Sequence, residues 1–168
     1  MPANPPATPD FCGYYPGAIG QVAALHAAYY AEHWGFDLSF EAQVATELSR
    51  FLLDFDPARD FFRAARAGER LAGAVALDGH STPHEGARLR WFIVHKTWQG
   101  SGLGARLLEQ ALAFARQASH RRLYLWTFAG LEAARCLYER AGFCLAEQKE
   151  IQHWGGVIHD QRYDLELA

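Results

Sequence analysis

The chain has 168 residues, half of them apolar, which suits one domain whose core needs neither disulfides nor a structural metal. Its formal net charge is −3, from 16 Lys and Arg against 19 Asp and Glu, and no basic stripe runs along it. This composition argues against a nucleic-acid-binding protein. No apolar run approaches the roughly 20 residues of a membrane-spanning helix, so no membrane partner is expected either.

The N-terminal segment is rich in proline. Four of the first ten residues are prolines, and the segment lacks the basic start and apolar centre of a signal peptide. We expect a flexible tail over residues 1–9, a single domain over 10–168 and a cytoplasmic protein. The cysteines at 12, 136 and 144 have no metal-ligand spacing and are expected to be reduced. Cys136 is expected in the core, because its helical stretch is apolar.

Hydrophobic periodicity and turn residues divide the chain into helices and strands. Ser39 is the predicted N-cap of the second helix, and Gly142 is expected to end the last helix in a left-handed conformation. The element order predicts an α/β fold with a mixed sheet and helices on both faces. In chain order the predicted elements are a strand near 11–15, helices over 16–34 and 39–55, a hairpin of 60–67 and 71–77, a strand over 88–94, a helix over 103–118, a strand over 123–126, a helix over 131–141, and two closing strands over 143–148 and 158–167.

The polar segment 80–86 contains His80 and His84, spaced like one pair of metal ligands. A structural zinc site needs four ligands, and no second pair of suitable spacing is present. We therefore expect a solvated loop and no metal.

Three glycines, Gly100, Gly102 and Gly104, stand directly between an apolar strand and an amphipathic helix. The start of a helix carries unpaired N–H groups and the positive end of the helix dipole, so it attracts anions. Glycines at this point leave room for a phosphate group. The same glycines could instead serve only the geometry of a tight turn.

Two common nucleotide-binding patterns do not fit this loop. A dinucleotide fingerprint needs G-x-G-x-x-G and an acidic residue about 20 positions later, whereas the spacing here is G-x-G-x-G and residues 124–126 include no acid. A P-loop needs a lysine directly after its second conserved glycine, and this loop contains none. What remains is a site for a ligand whose phosphate groups are bound by the protein but take no part in the reaction.

Two motifs, in this order, resemble those of the GNAT N-acetyltransferases. Residues 94–104, VHKTWQGSGLG, match that family's strand end and its [RQ]-x-x-G-x-[GA] loop. Residues 134–143, ARCLYERAGF, match the A-x-x-L-Y-x-x-x-G-F pattern of a later helix. The resemblance extends over roughly residues 10–167. A narrower likeness, carried by residues 26–37, 40–41 and 125–127, is to the acetyltransferase domain that some bacteria fuse behind MarR-type DNA-binding regulators.

The resemblance implies a GNAT-type acyl-CoA N-acyltransferase fold with acetyl-CoA as co-substrate. Residues 92–94 would offer backbone groups to the pantetheine arm, the amides of 99–104 would bind the pyrophosphate, and Tyr138 would protonate the leaving thiolate. The family often has an Asn where Leu131 stands here, so backbone contacts are expected in place of that side-chain contact. The implied cofactor-binding residues are Phe92, Ile93, Val94, Gln99, Gly100, Ser101, Gly102, Leu103, Gly104, Ala134 and Tyr138.

In the same family the first two helices form the acceptor side. Carboxylates and aromatic faces there would attract a cationic amine. The strand over 88–94 carries no carboxylate, so the general base stays open between acceptor-side residues and a water relay. The segment His153-Trp154-Gly155-Gly156 contributes either to this pocket or only to a turn. The expected acceptor-side residues are His26, Tyr30, Glu32, Trp34, Glu41, Trp126 and Thr127.

The predicted function is transfer of the acetyl group of acetyl-CoA to a primary amine of a small molecule or peptide, by direct attack. One alternative is a non-catalytic acyl-CoA-binding or sensing module, which would keep the glycine loop without needing Tyr138. Another is a protein-interaction domain, which would not bind coenzyme A. The aromatic-rich terminal segments leave a homodimer open.

Overall fold

The computed structural model describes residues 6–80 and 84–168. A 3-10 turn, Lys96–Trp98, precedes the third α-helix. Within the described parts of the chain, no helix is long and apolar enough to cross a membrane. The elements are β1 (Asp10–Cys12), α1 (Ala18–Trp34), α2 (Leu38–Leu53), β2 (Phe61–Ala67), β3 (Arg70–Asp78), β4 (Ala87–Val94), α3 (Leu103–Gln117), β5 (Arg122–Phe128), α4 (Glu132–Arg140), β6 (Cys144–His153) and β7 (Gly156–Glu166).

The seven strands form one mixed sheet in the order β1-β2-β3-β4-β5-β7-β6. Every neighbouring pair is antiparallel except β4 and β5, which run parallel. A parallel pair needs a crossover, and α3 supplies it. The predicted α/β fold with a mixed sheet is therefore confirmed.

The helices cover both faces of the sheet, as predicted. On one face, α3 and α4 pack against the sheet through residues such as Leu107, Leu112 and Tyr138. On the other face, α1 and α2 bury Val22 and Leu48 against the opposite side of β2–β4. The apolar stripe of α3 follows the spacing of one helical face, and this spacing places all of its members in the core.

The junction between α1 and α2 differs from the prediction in its cap. The N-cap of α2 is Asp37, whose carboxylate accepts a hydrogen bond from the Ser39 amide at 2.9 Å. The prediction of Ser39 was wrong because Asp37 offers a stronger acceptor two residues earlier. The expected core position of Cys136 was also wrong. The side chain is exposed, because α4 fully buries only Tyr138.

Strands β4 and β5 pair with each other only over their first residues, ending at the pair Leu89 and Leu125. Beyond that point β4 has a bulge: Ala74 pairs with Ile93 and Ala76 with Arg90, so one residue of β3 faces two residues of β4. Trp91, inside the bulge, has a φ of 47°. The two parallel strands therefore part toward their carboxyl ends, and a cleft opens between them.

Candidate functional site

The cleft between β4 and β5 has a volume of about 690 Å³. Residues from all four helices and from both strands line it, together with Trp154 from the turn between β6 and β7. An opening of this size can accommodate a ligand as large as a drug-sized molecule. The glycine loop lies at one side of the cleft, and α1 and α2 lie at the other.

Backbone conformation explains two of the three loop glycines. Gly100 and Gly102 have φ of 77° and 83°, which side-chain-bearing residues rarely adopt, and a Cβ at either would meet nothing within 4 Å. Gly104 has a different role. A Cβ there would lie 3.1 Å from Leu137 Cδ1, so this glycine lets α3 pack closely on α4, a role that the sequence did not predict.

Four backbone N–H groups at this loop have no hydrogen-bond acceptor in the described parts of the chain: those of Gly100, Gly102, Gly104 and Ala105. The first intrahelical bond of α3 is donated by Arg106 to the carbonyl of Gly102, at 3.1 Å. Unpaired amides at the positive end of a helix dipole form an anion-binding surface. The residues present therefore fit a phosphate or pyrophosphate group.

Side chains hold the loop in place. The Gln99 amide donates to the Val94 carbonyl at 3.1 Å, and the Ser101 hydroxyl donates to the Trp98 carbonyl at 2.5 Å. The Trp98 indole N–H donates to the Ala7 carbonyl at 3.1 Å, and Pro9 is buried. Part of the predicted tail thus packs against the loop, while residues 1–5 lie outside the described chain.

Most of the predicted cofactor residues line the cleft: Phe92, Ile93, Val94, Gln99, Gly100, Gly102, Gly104, Ala134 and Tyr138. Two do not. Leu103 is buried in the core, and the Ser101 side chain bonds within the loop. These placements are structural, and binding to a cofactor stays a prediction for every one of them.

Tyr138 lies where α4 meets the cleft and is 5% exposed. Its ring packs against Phe92, Phe143 and Tyr163, with centroids 5.9 to 6.2 Å apart. No hydrogen bond of its hydroxyl is found within the described residues. Burial, and secondarily the nearby phenol of Tyr30, raises the pKa of Tyr138 above its ordinary value. The group is therefore a protonated phenol at neutral pH.

The acceptor-side predictions divide into two groups. His26, Tyr30, Trp126 and Thr127 line the cleft. Glu32 and Glu41 are exposed and do not line it. Trp34 does not line it either; its ring packs at a tilt against Tyr30, with ring centroids 5.6 Å apart. Glu32, two residues after Tyr30, lies on another face of α1, and Glu41 belongs to α2.

His26 is buried, and its Nδ1 donates to the Val22 carbonyl at 2.8 Å. Burial lowers the pKa of His26 to about 4, although the Val22 hydrogen bond acts in the opposite direction. The imidazole is therefore neutral at physiological pH, with Nε2 left as an acceptor.

Sequence reasoning missed a polar network on the acceptor side. The Glu47 carboxylate forms an ion pair with Arg90 and accepts from the Gln43 amide at 3.1 Å. The Trp154 indole N–H donates to Gln43 at 2.9 Å, which ties the β6–β7 turn to α2. Trp154 therefore belongs to both the turn and the pocket. The four-residue spacing of Gln43 and Glu47 on α2 was the available signal for this face.

Two arginines of β4, Arg88 and Arg90, also line the cleft. Arg90 contacts Glu47 and lies 3.5 Å from the Asp78 carboxylate. Burial lowers the pKa of Arg88, and the positive charge of Arg90 acts in the same direction. Residues i and i+2 of a strand, such as Arg88 and Arg90, point to the same face of the sheet. The sequence does not show that this face borders a cleft, because the cleft forms only where β4 and β5 part.

The segment around His80 contains a small acidic cluster away from the cleft. Ligand atoms of Asp60, Asp78 and His80 lie within 4.8 Å of one another, and His84 is not among them. Asp60 already accepts the Gly79 amide at 2.8 Å and the Asp56 amide at 2.9 Å. Its carboxylate therefore joins two loops, and the absence of a metal stays a prediction.

Comparison with solved structures shows the same fold in several bacterial proteins. One is a candidate acetyltransferase of the GNAT family from Desulfovibrio desulfuricans, 22% identical, with a TM-score of 0.73 over 95% of this chain and 99% of that one. A second is an acetyltransferase of the GNAT family from Streptococcus pneumoniae, 19% identical, with a TM-score of 0.70 over 95% and 99%. A third, a candidate acetyltransferase from Salmonella typhimurium with its cofactor acetyl-CoA, is 14% identical, with a TM-score of 0.71 over 96% and 95%.

A search among curated proteins found no match. The sequence model of the acetyltransferase (GNAT) family matches residues 19–143, which include both sequence motifs and both walls of the cleft. This chain therefore belongs to the GNAT acetyltransferase family.

Proposed function

We propose that this protein is an acetyl-CoA-dependent N-acetyltransferase that acts on a primary amine by direct attack. The observation that carries the proposal is the group of four amides at the start of α3 that have no acceptor among the described residues; these residues line the same cleft as Tyr138. Membership of the family supports acetyl transfer, and the Salmonella protein with bound acetyl-CoA supports the choice of co-substrate.

The glycine loop is the proposed pyrophosphate site. The amides of Gly100, Gly102, Gly104 and Ala105 would donate to phosphate oxygens without moving, because Gln99 and Ser101 already hold the loop. The parted edge of β4, over 92–94, is the proposed surface for the pantetheine arm. The Val94 carbonyl already accepts from Gln99. Ile93 pairs with Ala74 two residues before the His95 amide that donates to Ala72, so its backbone groups face β3. The backbone of Phe92 and the Val94 N–H are therefore the better candidates for strand-like contacts.

Acetyl-CoA supplies an acetyl group that is activated as a thioester. In the transfer, a bond forms between the amine nitrogen and the acetyl carbon, the carbon–sulfur bond breaks, and coenzyme A leaves as the thiol. Backbone N–H groups at the β4 bulge are the proposed donors to the carbonyl oxygen. The Tyr138 phenol is the proposed proton donor to sulfur, since it lines the cleft and no hydrogen bond within the described residues occupies its hydroxyl.

Proton removal from the amine is assigned to water in the cleft. An alkylammonium with a pKa near 10 must lose a proton before it is nucleophilic. His26 is too weak a base, because burial holds its pKa at about 4. The two oxygens of Glu47 are occupied by Gln43 and Arg90. A water relay toward the opening of the cleft needs neither group to give up its partner.

The finer predictions stay proposals of the same kind. They are the likeness of residues 26–37 to the MarR-fused acetyltransferase domains, a single domain over 10–168, a cytoplasmic location and a homodimer. The described exposed apolar side chains include Tyr14, Leu145 and Val157 near the two ends of the chain, which supports testing the oligomeric state.

The proposed function is tested by measuring amine-dependent release of coenzyme A thiol from acetyl-CoA across a panel of primary amines, with mass spectrometry of the products. We expect at least one amine to release thiol in step with formation of its acetamide. Binding of acetyl-CoA with no transfer to any amine would favour the acyl-CoA-binding or sensing module. No binding at all would favour the protein-interaction domain.

A further inference from the structure

The Arg88 guanidinium stands out among the cleft-lining side chains. Its Nε is buried and has no hydrogen-bond partner. No ion pair of Arg88 is found in the described parts of the chain, in contrast to Arg90, which contacts Glu47 and Asp78. Arg162, in β7, is likewise paired with Glu85 and Asp164. Arg88 is thus a largely desolvated cation that lines the cleft and contacts no carboxylate in the described residues, although Glu47, Asp78 and Asp160 act on it from a greater distance.

An unpaired buried charge is costly, and proteins compensate such charges with partners or ligands. The Nε atoms of two other arginines, Arg63 and Arg66, are also buried without a partner. Both lie outside the cleft and stack on aromatic rings, at 5.1 Å over Phe61 and 3.9 Å over Tyr15. Arg88 is the one of the three that lines the cleft, so it is the one that a ligand can reach.

Two of the carboxylates that act on Arg88 electrostatically are held by Arg90. On the acceptor side the cleft is lined by two arginines, Arg88 and Arg90, and one carboxylate, Glu47, and His26 is neutral. Both Glu47 and Asp78 contact Arg90, so neither carboxylate is available to pair directly with Arg88. The Glu47 carboxylate is committed to Arg90 and Gln43, so it does not move to compensate Arg88 without breaking both contacts.

We propose that the acceptor is a small amino acid, or a similar amine with one carboxylate, and that the Arg88 guanidinium binds this carboxylate. The inference rests on the proposed N-acetyltransferase function and names the substrate class of the same site. A guanidinium presents a planar fork of donors that matches a carboxylate, which fixes orientation as well as charge. Tyr30 and Trp126, which also line the cleft, provide apolar surface for the acceptor side chain.

The test compares matched acceptors. Each free amino acid of a panel is assayed beside its amide, which keeps the amine and the side chain but lacks the carboxylate. We expect wild-type kcat/KM for the favoured amino acid to exceed that for its amide by on the order of 100-fold. In Arg88→Met this preference should collapse to within about threefold, through loss of activity on the amino acid alone.

Two readouts separate this role from a structural one. Because Arg88 makes no hydrogen bond or ion pair within the described residues, Arg88→Met should leave the melting temperature nearly unchanged or higher, and its acetyl-CoA affinity should match the wild type. Arg63→Met is the matched control, since it removes an arginine outside the cleft whose Nε also lacks a hydrogen bond in the described residues, and it should keep the acid-over-amide preference.

Transfer to amides as fast as to amino acids would overturn the inference while leaving the acetyltransferase function intact. So would an Arg88→Met variant with an unchanged acid-over-amide preference, or one whose lost activity is matched by a lower melting temperature. Bound acetyl-CoA with no transfer to any amine would instead reject the proposed function, and the inference with it.

Discussion

At the scale of single residues, the Tyr138 hydroxyl carries the most specific chemical claim. Tyr138→Phe removes one buried oxygen that has no hydrogen-bond partner in the described residues, so we expect little change in melting temperature. If the phenol protonates the leaving thiolate, kcat should fall by about 100-fold or more while the Kd for acetyl-CoA changes by less than about threefold. Steady-state kinetics and titration measure the two effects separately.

Tyr163→Phe is the matched control for this prediction. Tyr163 is 2% exposed and packs on Tyr138 with ring centroids 6.2 Å apart, but it does not line the cleft. Its variant should keep the wild-type kcat. A Tyr138→Phe enzyme with full activity would remove Tyr138 from the mechanism and leave it with packing alone.

His26 makes a second prediction, which concerns stability and pH. Its folded-state pKa of about 4 lies below the ordinary 6.5, so the unfolded chain binds a proton more readily than the folded protein does. This contribution to stability is full above pH 6.5 and is lost as the pH falls toward 4. Between pH 7 and pH 5 the loss amounts to about 2 kcal/mol.

Urea unfolding at pH 7 and at pH 5, for the wild type and for His26→Gln, isolates this contribution from that of the carboxylates. We expect the wild type to lose about 2 kcal/mol more than the variant on acidification. Equal losses in the two proteins would show that His26 gains a proton in the folded state near its ordinary pKa.

At the scale of secondary-structure elements, the Asp60 side chain connects the start of β2 to the segments that follow α2 and β3. Its carboxylate accepts from the amides of Asp56, after α2, and Gly79, at the end of β3, and the side chain is fully buried. Asp60→Asn replaces one acceptor oxygen with an N–H donor that faces another N–H. We expect the free energy of unfolding to fall by about 2 to 3 kcal/mol, measured by urea unfolding.

Acetyl-CoA affinity should be unchanged in Asp60→Asn, because the residue lies outside the cleft. Asp56→Asn is a suitable control, since Asp56 is partly exposed on the same connection. A neutral effect of Asp60→Asn on stability would contradict the role of its carboxylate as a tie between the two loops.

The elements were largely predictable from the sequence, because their signals are local. Periodicity placed the apolar stripe of α3, and the Gly68-Glu69-Arg70 segment marked the β2–β3 hairpin. The cap at Asp37 was missed because Asp37 and Ser39 are both good caps, and only the folded α1–α2 junction decides between them. The core position predicted for Cys136 is wrong because α4 contacts the sheet through a narrow face, and Cys136 lies outside that face.

At the scale of the whole molecule, the two sides of the cleft were predictable to different degrees. The glycine loop and Tyr138 each belong to a short sequence motif, so their positions in the fold follow from residues that are close in the sequence. The acceptor side has no such motif, because Glu47, Arg88 and Trp154 come from three distant segments that meet only in the folded sheet. The charge of Glu32 and Glu41 predicts a place in the acceptor site, but their helices turn both side chains toward solvent.

The central claim is that acetyl-CoA binds through the unpaired amides at the start of α3, and Ala105 gives its most direct test. Ala105 is exposed and lines the cleft in the first turn of α3. A glutamate there complements the helix dipole, so Ala105→Glu should fold as stably as the wild type while repelling a pyrophosphate. Ala105→Gln has nearly the same size without the charge.

The measurement is isothermal titration of acetyl-CoA into the wild type, Ala105→Glu and Ala105→Gln. We predict that the wild type and Ala105→Gln bind with Kd values within about threefold of each other, and that Ala105→Glu binds at least about tenfold more weakly at low salt. Equal affinities in the two variants, or no binding to the wild-type protein, would contradict the account.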